Sequence, residues 1–286
     1  MKNLKDKIVF ITGSAQGLGY SMAEKFAAEG SHIVLADIKA EKVVESAKAI
    51  ADKYGVETMP VQLDVSSVPA IIEAFAKVKE RFGRLDVLVN CAGVLNLGAC
   101  ETYAAQELRQ VMDTNFFGQV SMIQRALPLM RERGKGRIVN FSSINGLLGI
   151  PFEGAYAASK HAVEGFSECL ALEVRRLGVE VMLVEPGDHR SGSAKYRRRA
   201  AAMAEASPYA RHYAQATAVI AQDEANGSDP DTLGRRIVRA LQKKRLPRRL
   251  RVAKADQHLA VFLHDAWPQL FESVIDRYYR REPSGK

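Results

Sequence analysis

Cysteine is scarce in this chain. Three thiols in 286 residues, Cys91, Cys100 and Cys169, make an odd number without metal-ligand spacing. That excludes a disulfide framework and a zinc module; it is the usage of free thiols in a reducing compartment, and no metal is expected. Long apolar runs are lacking too. The opening Met1-Lys-Asn-Leu-Lys-Asp-Lys passes at once into Ile8-Val-Phe-Ile, too short for a signal h-region, and no stretch approaches membrane-spanning length. A soluble cytoplasmic protein without a transmembrane segment is expected. Internal repeats and low-complexity tracts are missing as well.

Acidic charge runs short only in the last third. The formal charge is +8, and residues 190–286 hold 20 Lys/Arg against 10 Asp/Glu. Such asymmetry can mark nucleic-acid binding. Here no zinc-finger spacing, RNP-like aromatic motif or helix-turn-helix pattern accompanies it, so no nucleic-acid partner is expected.

What is present is alternation. Strand-like apolar runs at Lys7–Thr12, His32–Asp37, Glu57–Leu63, Leu85–Asn90, Gly136–Phe141 and Val179–Glu185 alternate with helical spacing at Leu18–Glu29, Ala40–Tyr54, Pro69–Phe82, Ala105–Arg131 and Ala155–Leu177. Near-continuous Val/Ile/Leu strands suit a parallel sheet buried on both faces. The alternation predicts right-handed βαβ units in an α/β, doubly wound, three-layered sheet. After Pro186-Gly187 the pattern turns polar and Ala/Arg-rich, with helical stretches at Ala200–Ala206 and Ala214–Glu224. Residues 188–228 read as a substrate-binding lid, and 229–286 as a C-terminal extension. That extension has a helix opening at Asp229-Pro-Asp-Thr, a short strand near Arg249–Val252 and an amphipathic segment Gln257–Tyr279. Both are expected to elaborate one domain of 286 residues.

The first strand ends in Thr12-Gly-Ser-Ala-Gln-Gly-Leu-Gly19 and leads into a helix. Gly13, Gly17 and Gly19 let backbone approach a pyrophosphate, which the helix N-terminus favours; Ser14, Gln16 and Leu18 complete the turn. Asp37, closing the second strand, can accept both adenosine-ribose hydroxyls and would repel a 2′-phosphate. NAD is therefore expected rather than NADP, although Lys39 beside it could tolerate the phosphate. Further on, Tyr156 and Lys160 are four apart, one turn on one helix face. An ammonium beside a phenol favours the phenolate and makes a tyrosine usable as a general acid/base. Ser143, closing a strand, could donate to a carbonyl oxygen or alkoxide.

Together these residues resemble the short-chain dehydrogenase/reductase family in its single-domain branch, a Rossmann fold, from Lys7 to about Ser191. The supporting motifs are Thr12-Gly-x-x-x-Gly-x-Gly19, Leu63-Asp64-Val65, Asn90-Cys-Ala-Gly93, Asn115, Ser143, Tyr156-x-x-x-Lys160 and Pro186-Gly187. The resemblance implies that Tyr156 exchanges the substrate proton and Ser143 polarises its oxygen. Lys160 would lower the tyrosine pKa and bind the nicotinamide ribose, and Asn115 would support a proton path through water. Asp64 and Val65 would meet the adenine, Asn90, Ala92 and Gly93 the adenosine ribose, and Pro186 and Gly187 the nicotinamide carboxamide. Where the family places a threonine after that turn, this chain reads Asp188-His-Arg-Ser191; Ser191 offers the same hydroxyl, and His189 is a candidate substrate contact. His161 is expected only to pack.

The expectation is an NAD-dependent oxidoreductase moving a hydride between an alcohol and its carbonyl. By loose similarity of the tail containing Trp267 the substrate is bulky and lipophilic, and by resemblance the assembly is a homodimer or homotetramer. Two alternatives stand beside it: an epimerase or dehydratase with a retained cofactor, and a dinucleotide-binding sensor or scaffold.

Overall fold

The computed structural model describes residues 3–190, 192, 197–200 and 207–281. Ser191 and the expected helix across Ala200–Ala206 fall wholly or largely outside the described residues.

Seven parallel strands form the central sheet in the order β3-β2-β1-β4-β6-β7-β9. They are β1 (Ile8–Thr12), β2 (His32–Asp37), β3 (Thr58–Gln62), β4 (Val87–Asn90), β6 (Gly136–Phe141), β7 (Val179–Pro186) and β9 (Arg249–Val252). A two-residue pair, β5 (Asn96–Leu97) with β8 (Arg198–Arg199), stands apart. The chain starts at β1, winds outward to β3, then returns past β1 to β4. That reversal leaves a crevice at the carboxyl ends of β1 and β4, where this class of fold holds its ligands. The inner strands are buried throughout: β1, β4 and β6 have no exposed residue.

Helices cover both faces: α1 (Gly17–Ala28), α2 (Ala40–Tyr54) and α8 (Pro230–Gln242) on one; α3 (Val68–Phe82), α5 (Gly118–Arg131) and α6 (Gly154–Val174) on the other. One core packs β1, β2 and β4 side chains against Met22, Phe26, Ile50, Leu233 and Ile237. The other sets Phe10, Val34 and Leu88 against Ile71, Phe75, Met122 and Leu170. The late helices α7 (Ala210–Ala225), α9 (Ala255–Ala266) and α10 (Pro268–Tyr279) build two smaller apolar clusters over the loops, with Phe152, Tyr213 and Tyr279 in one and Leu148, Val261 and Phe271 in the other.

Two buried charges bind late chain to the sheet through ion pairs. Glu185 on β7 is fully buried and accepts from Arg251 Nε at 2.8 Å and from Arg249, binding the edge strand β9 to the sheet. Arg137, 3 % exposed, donates to Glu180 and to the carbonyls of Leu241 and Lys243, so a cation closes the C-terminal end of α8. Among the described residues no helix is long and apolar enough to cross a membrane.

Two expected elements differ. The helix across Ala105–Arg131 is interrupted: α4 (Ala105–Met112) and α5 are joined by a π-helical stretch, Asp113–Phe117. The segment Gln257–Tyr279 is broken at Trp267, where Pro268 starts α10.

Candidate active site

The crevice is an open cleft of about 910 Å³ along the carboxyl edge of the sheet. At one end lies the turn after β1. Gly13 and Gly17 have φ of +67° and +59°, and a Cβ on Gly13 would stand 2.9 Å from the Ala92 backbone. A Cβ on Gly19 would meet the Gly13 carbonyl oxygen at 2.0 Å, so α1 can start this close only with glycine there. No side chain caps α1 at Gln16, which leaves its first N–H groups for an anion. Thr12 Oγ1 accepts from the backbone N–H of Cys91 and Ala92, both at 3.1 Å, tying the turn to the loop after β4.

Asp37 lies at the cleft. Its carboxylate accepts the N–H of Ala15 and of Lys39, both at 3.1 Å, so it also braces the glycine turn. Lys39 Nζ donates to Gln16 Oε1 at 3.2 Å. Asp64 and Val65 line the same end; Ser66 donates to Asp64 through its N–H and its hydroxyl. Leu18, Ala92, Gly93, Pro186 and Gly187 line the cleft as well. Three of the expected residues do not. Ser14 is wholly buried, its hydroxyl bonded to the Ala36 carbonyl. Asn90 donates to Asn140 inside the sheet, and Asn140 to Ser167. Asn115, wholly buried in the π-helical stretch, clasps Val94 through both backbone groups and donates to Ser159.

At the cleft's centre α6 presents Tyr156 and Lys160, and Ser143 closes the loop after β6. Ser143 Oγ accepts the Asn145 N–H at 3.2 Å, which orients the hydroxyl, and it hydrogen-bonds the Tyr156 phenol. Lys160 Nζ donates to the Phe141 carbonyl at 2.8 Å and stands 5.6 Å from the Tyr156 ring centroid. Burial lowers the Lys160 ammonium to about 8. The expected depression of the tyrosine is not what this arrangement produces. Burial, reinforced by the nearby Glu153 carboxyl, pushes the phenol above its ordinary range, and the Ser143 hydrogen bond only partly offsets it. The physical reason is that the phenol itself is desolvated, which disfavours its ionised form, while Glu153 adds negative charge.

Glu153 is the residue that sequence reasoning missed. It precedes α6, 5 % exposed, and receives a hydrogen bond from Asn145 Nδ2. Burial pushes its carboxyl up to about 7, against the opposing influence of Arg197. Its backbone is held by a left-handed neighbour, Phe152 (φ +66°), whose ring packs edge-on against His212 and Tyr213 of α7. Asp188, raised to about 6 by burial, accepts from Gln257 Nε2 at 2.5 Å. His189 also lines the cleft, and Arg197 pairs with Glu224. His161 bonds the Ala157 carbonyl one turn back and stays outside the cleft.

Comparison with known proteins places the chain. The family described as short chain dehydrogenase matches residues 7–202, and the protein belongs to that family of oxidoreductases. A 3-ketodihydrosphingosine reductase from Bacteroides thetaiotaomicron is 36% identical over 256 residues, covering 90% of this chain and 91% of the relative. Dehydrogenase/reductase SDR family member 7B of Danio rerio is 33% identical over 285 residues, 98% of this chain and 88% of its own. A short-chain dehydrogenase from Streptomyces avermitilis superposes with a TM-score of 0.81 at 31% identity, covering 96% of this chain and 98% of that one. A family member from Burkholderia phymatum in complex with NAD gives 0.81 at 27%, covering 100% and 99%.

The residues fit a nicotinamide dinucleotide, the cofactor type of this family. The glycine cradle leaves no room for side chains, α1 offers uncapped N–H groups, and Asp37 reaches the cleft.

Proposed function

We propose that the protein interconverts a lipophilic secondary or primary alcohol and its carbonyl compound, using NAD in preference to NADP. The observation carrying this reading is that Ser143, Tyr156 and Lys160 share one cleft with the glycine turn and Asp37. The bound nicotinamide would supply or take the hydride. In reduction Tyr156, held protonated by burial, donates its proton to the carbonyl oxygen while Ser143 steadies that oxygen with its hydroxyl. Lys160 sits where it can stabilise the phenolate left behind. In oxidation the same groups act in reverse. A lipophilic substrate is supported by Val94, Leu95, Ile144 and Ile220 in the cleft wall, and by the name of the reductase relative. Exposed Leu108 on α4, Phe117 at the junction of α4 and α5, and Leu172 on α6 support a homodimer or homotetramer.

Tyr156→Phe tests the reading. Turnover should fall about 10²–10⁴-fold with the dinucleotide Kd unchanged, whereas near-normal turnover refutes it. A wild-type kcat/KM higher with NADP than with NAD refutes the Asp37 assignment.

A further inference from the structure

The face of α6 that carries Tyr156 and Lys160 continues one turn further to Glu164, at the same spacing of four. Glu164 is 6 % exposed. Its Oε2 accepts from Arg249 Nη1 of β9 at 2.5 Å, and its Oε1 is buried with no hydrogen-bond partner. The Ser142 hydroxyl, next to Ser143, lies beside the carboxyl. Gly146 lets that loop press on this turn of α6: a Cβ there would stand 3.1 Å from both Glu164 Cγ and the Lys160 carbonyl oxygen. Burial disfavours the Glu164 carboxylate, as does Glu185 on β7, while Ser142 and Arg249 favour it. Glu168, a turn further on, shares Arg249. For Lys160 burial disfavours the charge, and two groups among the described residues act for it: Cys91, in the loop after β4, and Glu164. The Cys91 thiol, pushed up to about 12 by burial, is uncharged at neutral pH. Tyr156 is a neutral phenol until it gives up its proton. Glu164 is then the anion that favours the ammonium.

We propose that Glu164 is a positioning residue for the reaction, holding the Lys160 ammonium charged beside Tyr156 from one turn behind, with Arg249 of the edge strand tempering that hold. The proposal rests on the oxidoreductase reading above. Lys160 can stabilise the Tyr156 phenolate only while it keeps its proton, and burial favours losing it. A carboxylate one helical turn away, about 5–6 Å between Cβ atoms, opposes that loss, because charges interact strongly where water is excluded. Oε1, with no donor of its own, leaves the carboxylate charge unscreened on one side. Arg249 acts the other way: its guanidinium draws on the same carboxylate, and on Glu185 and Glu168 as well. Neither Glu164 nor Arg249 is among the described residues lining the cleft, so both act through Lys160 rather than on a ligand. The edge strand of the late chain thereby reaches the proton-transfer centre from behind.

The test reads Lys160 itself, with no substrate present. In protein carrying 13C at lysine Cε, the Lys160 resonance, assigned by its loss in Lys160→Met, is followed against pH. The wild-type midpoint should lie near 8. Glu164→Gln should lower it by about one pH unit, since the ammonium loses its anion. Arg249→Gln should raise it by about half a unit, since the carboxylate is freed of its guanidinium. Opposite shifts from two partners of one ion pair are not what a merely structural loss produces. A Glu164→Gln midpoint within about 0.2 unit of wild type overturns the proposal. If Glu164→Gln does not fold, Arg249→Gln decides, and a midpoint there that stays or falls overturns it. Turnover is then measured with NADH and decan-2-one. The rate should fall as pH rises through the Lys160 midpoint, and that limb should move with the midpoint in each variant. A limb that ignores the shifted midpoint overturns the role in the reaction. Shifted midpoints in a protein that reduces no ketone or aldehyde of a broad panel keep the hold of Glu164 on Lys160 and remove the oxidoreductase reading.

Discussion

The two ends of the cleft are made of different material. The end fitted to a dinucleotide is shaped by backbone: glycines at 13, 17 and 19, the N–H groups of α1, and Thr12 pinning one loop to another. The far end is shaped by side chains drawn from the loop after β6, the start of α6, the turn after β7 and the residue before β8: Asn145, Glu153, Asp188, His189 and Arg197. Backbone shape cannot be changed without breaking the turn, so it serves a ligand common to a family. Side chains can be exchanged singly, so they suit the part of the site that distinguishes one substrate from another.

The sharpest test of that contrast is Gly19→Ala. The added Cβ would lie 2.0 Å from a backbone oxygen with no flexible atom to move aside. Dinucleotide Kd should rise more than about 100-fold, or about 3 kcal/mol, by calorimetry; a rise below threefold would show that the turn relaxes and that the contrast is false. Glu153→Gln should act oppositely on stability. Its carboxyl is raised from 4.5 to about 7, so between those values the folded protein binds more protons than the unfolded chain. Stability falls as pH rises through that window and is flat above it. The variant should therefore be more stable than wild type at pH 8, by up to about 3 kcal/mol, with the gap closing below pH 4.5. Thermal melts across this range check it; a gap independent of pH would mean that Glu153 is not held near neutrality.

The same contrast explains what could be read from sequence. Apart from the short β5 and the break inside Ala105–Arg131, the strands and helices up to β7 lie within about three residues of their sequence positions, and Ala40–Tyr54 agrees at both ends. Buried runs and amphipathic stripes are local properties, and so is the glycine turn. Asn115 shows where locality ends. The spacing around it is that of an unbroken helix, yet its side chain is drawn to Val94 and Ser159 and the helix widens to a π-turn. Trp267-Pro268 carried a local signal for the break in the final segment, since proline favours a first helical turn. Glu153 carried none. An acid before a helix reads as ordinary, and only its burial in the fold, with Asp188 and Glu224 arriving from later in the chain, makes it a nearly neutral carboxyl against the pull of Arg197.

A smaller effect is expected at Asp37, where backbone and side chain meet. Asp37→Ala removes the carboxylate that would reject a 2′-phosphate and also releases the N–H groups of Ala15 and Lys39. The NAD-to-NADP ratio of kcat/KM should drop by about tenfold, roughly 1.4 kcal/mol, while affinity for both falls. An unaltered ratio would place cofactor choice in Lys39 or elsewhere in the turn.

The smallest effect falls where the late chain is fastened to the dinucleotide half. Asp231, in the first turn of α8, takes Lys25 Nζ at 2.5 Å and Ser21 Oγ at 2.7 Å, both from α1. Lys25 and Ser21 hold its carboxyl below the usual range. The stability it adds is therefore present above its unfolded value of 3.8 and lost as pH falls below it. The pair is partly exposed, 21% and 36%, so solvent and salt screen it. Asp231→Asn should cost under about 1 kcal/mol at pH 7, less in high salt and less as pH falls below 3.8, by denaturant titration. Because α1 also carries the glycine turn, dinucleotide affinity measured on the same variant decides how the halves communicate. An unchanged Kd means that α8 supports the turn only through shared packing with Leu233 and Ile237, while a weakened one means that the tether holds the α1 N-terminus in place.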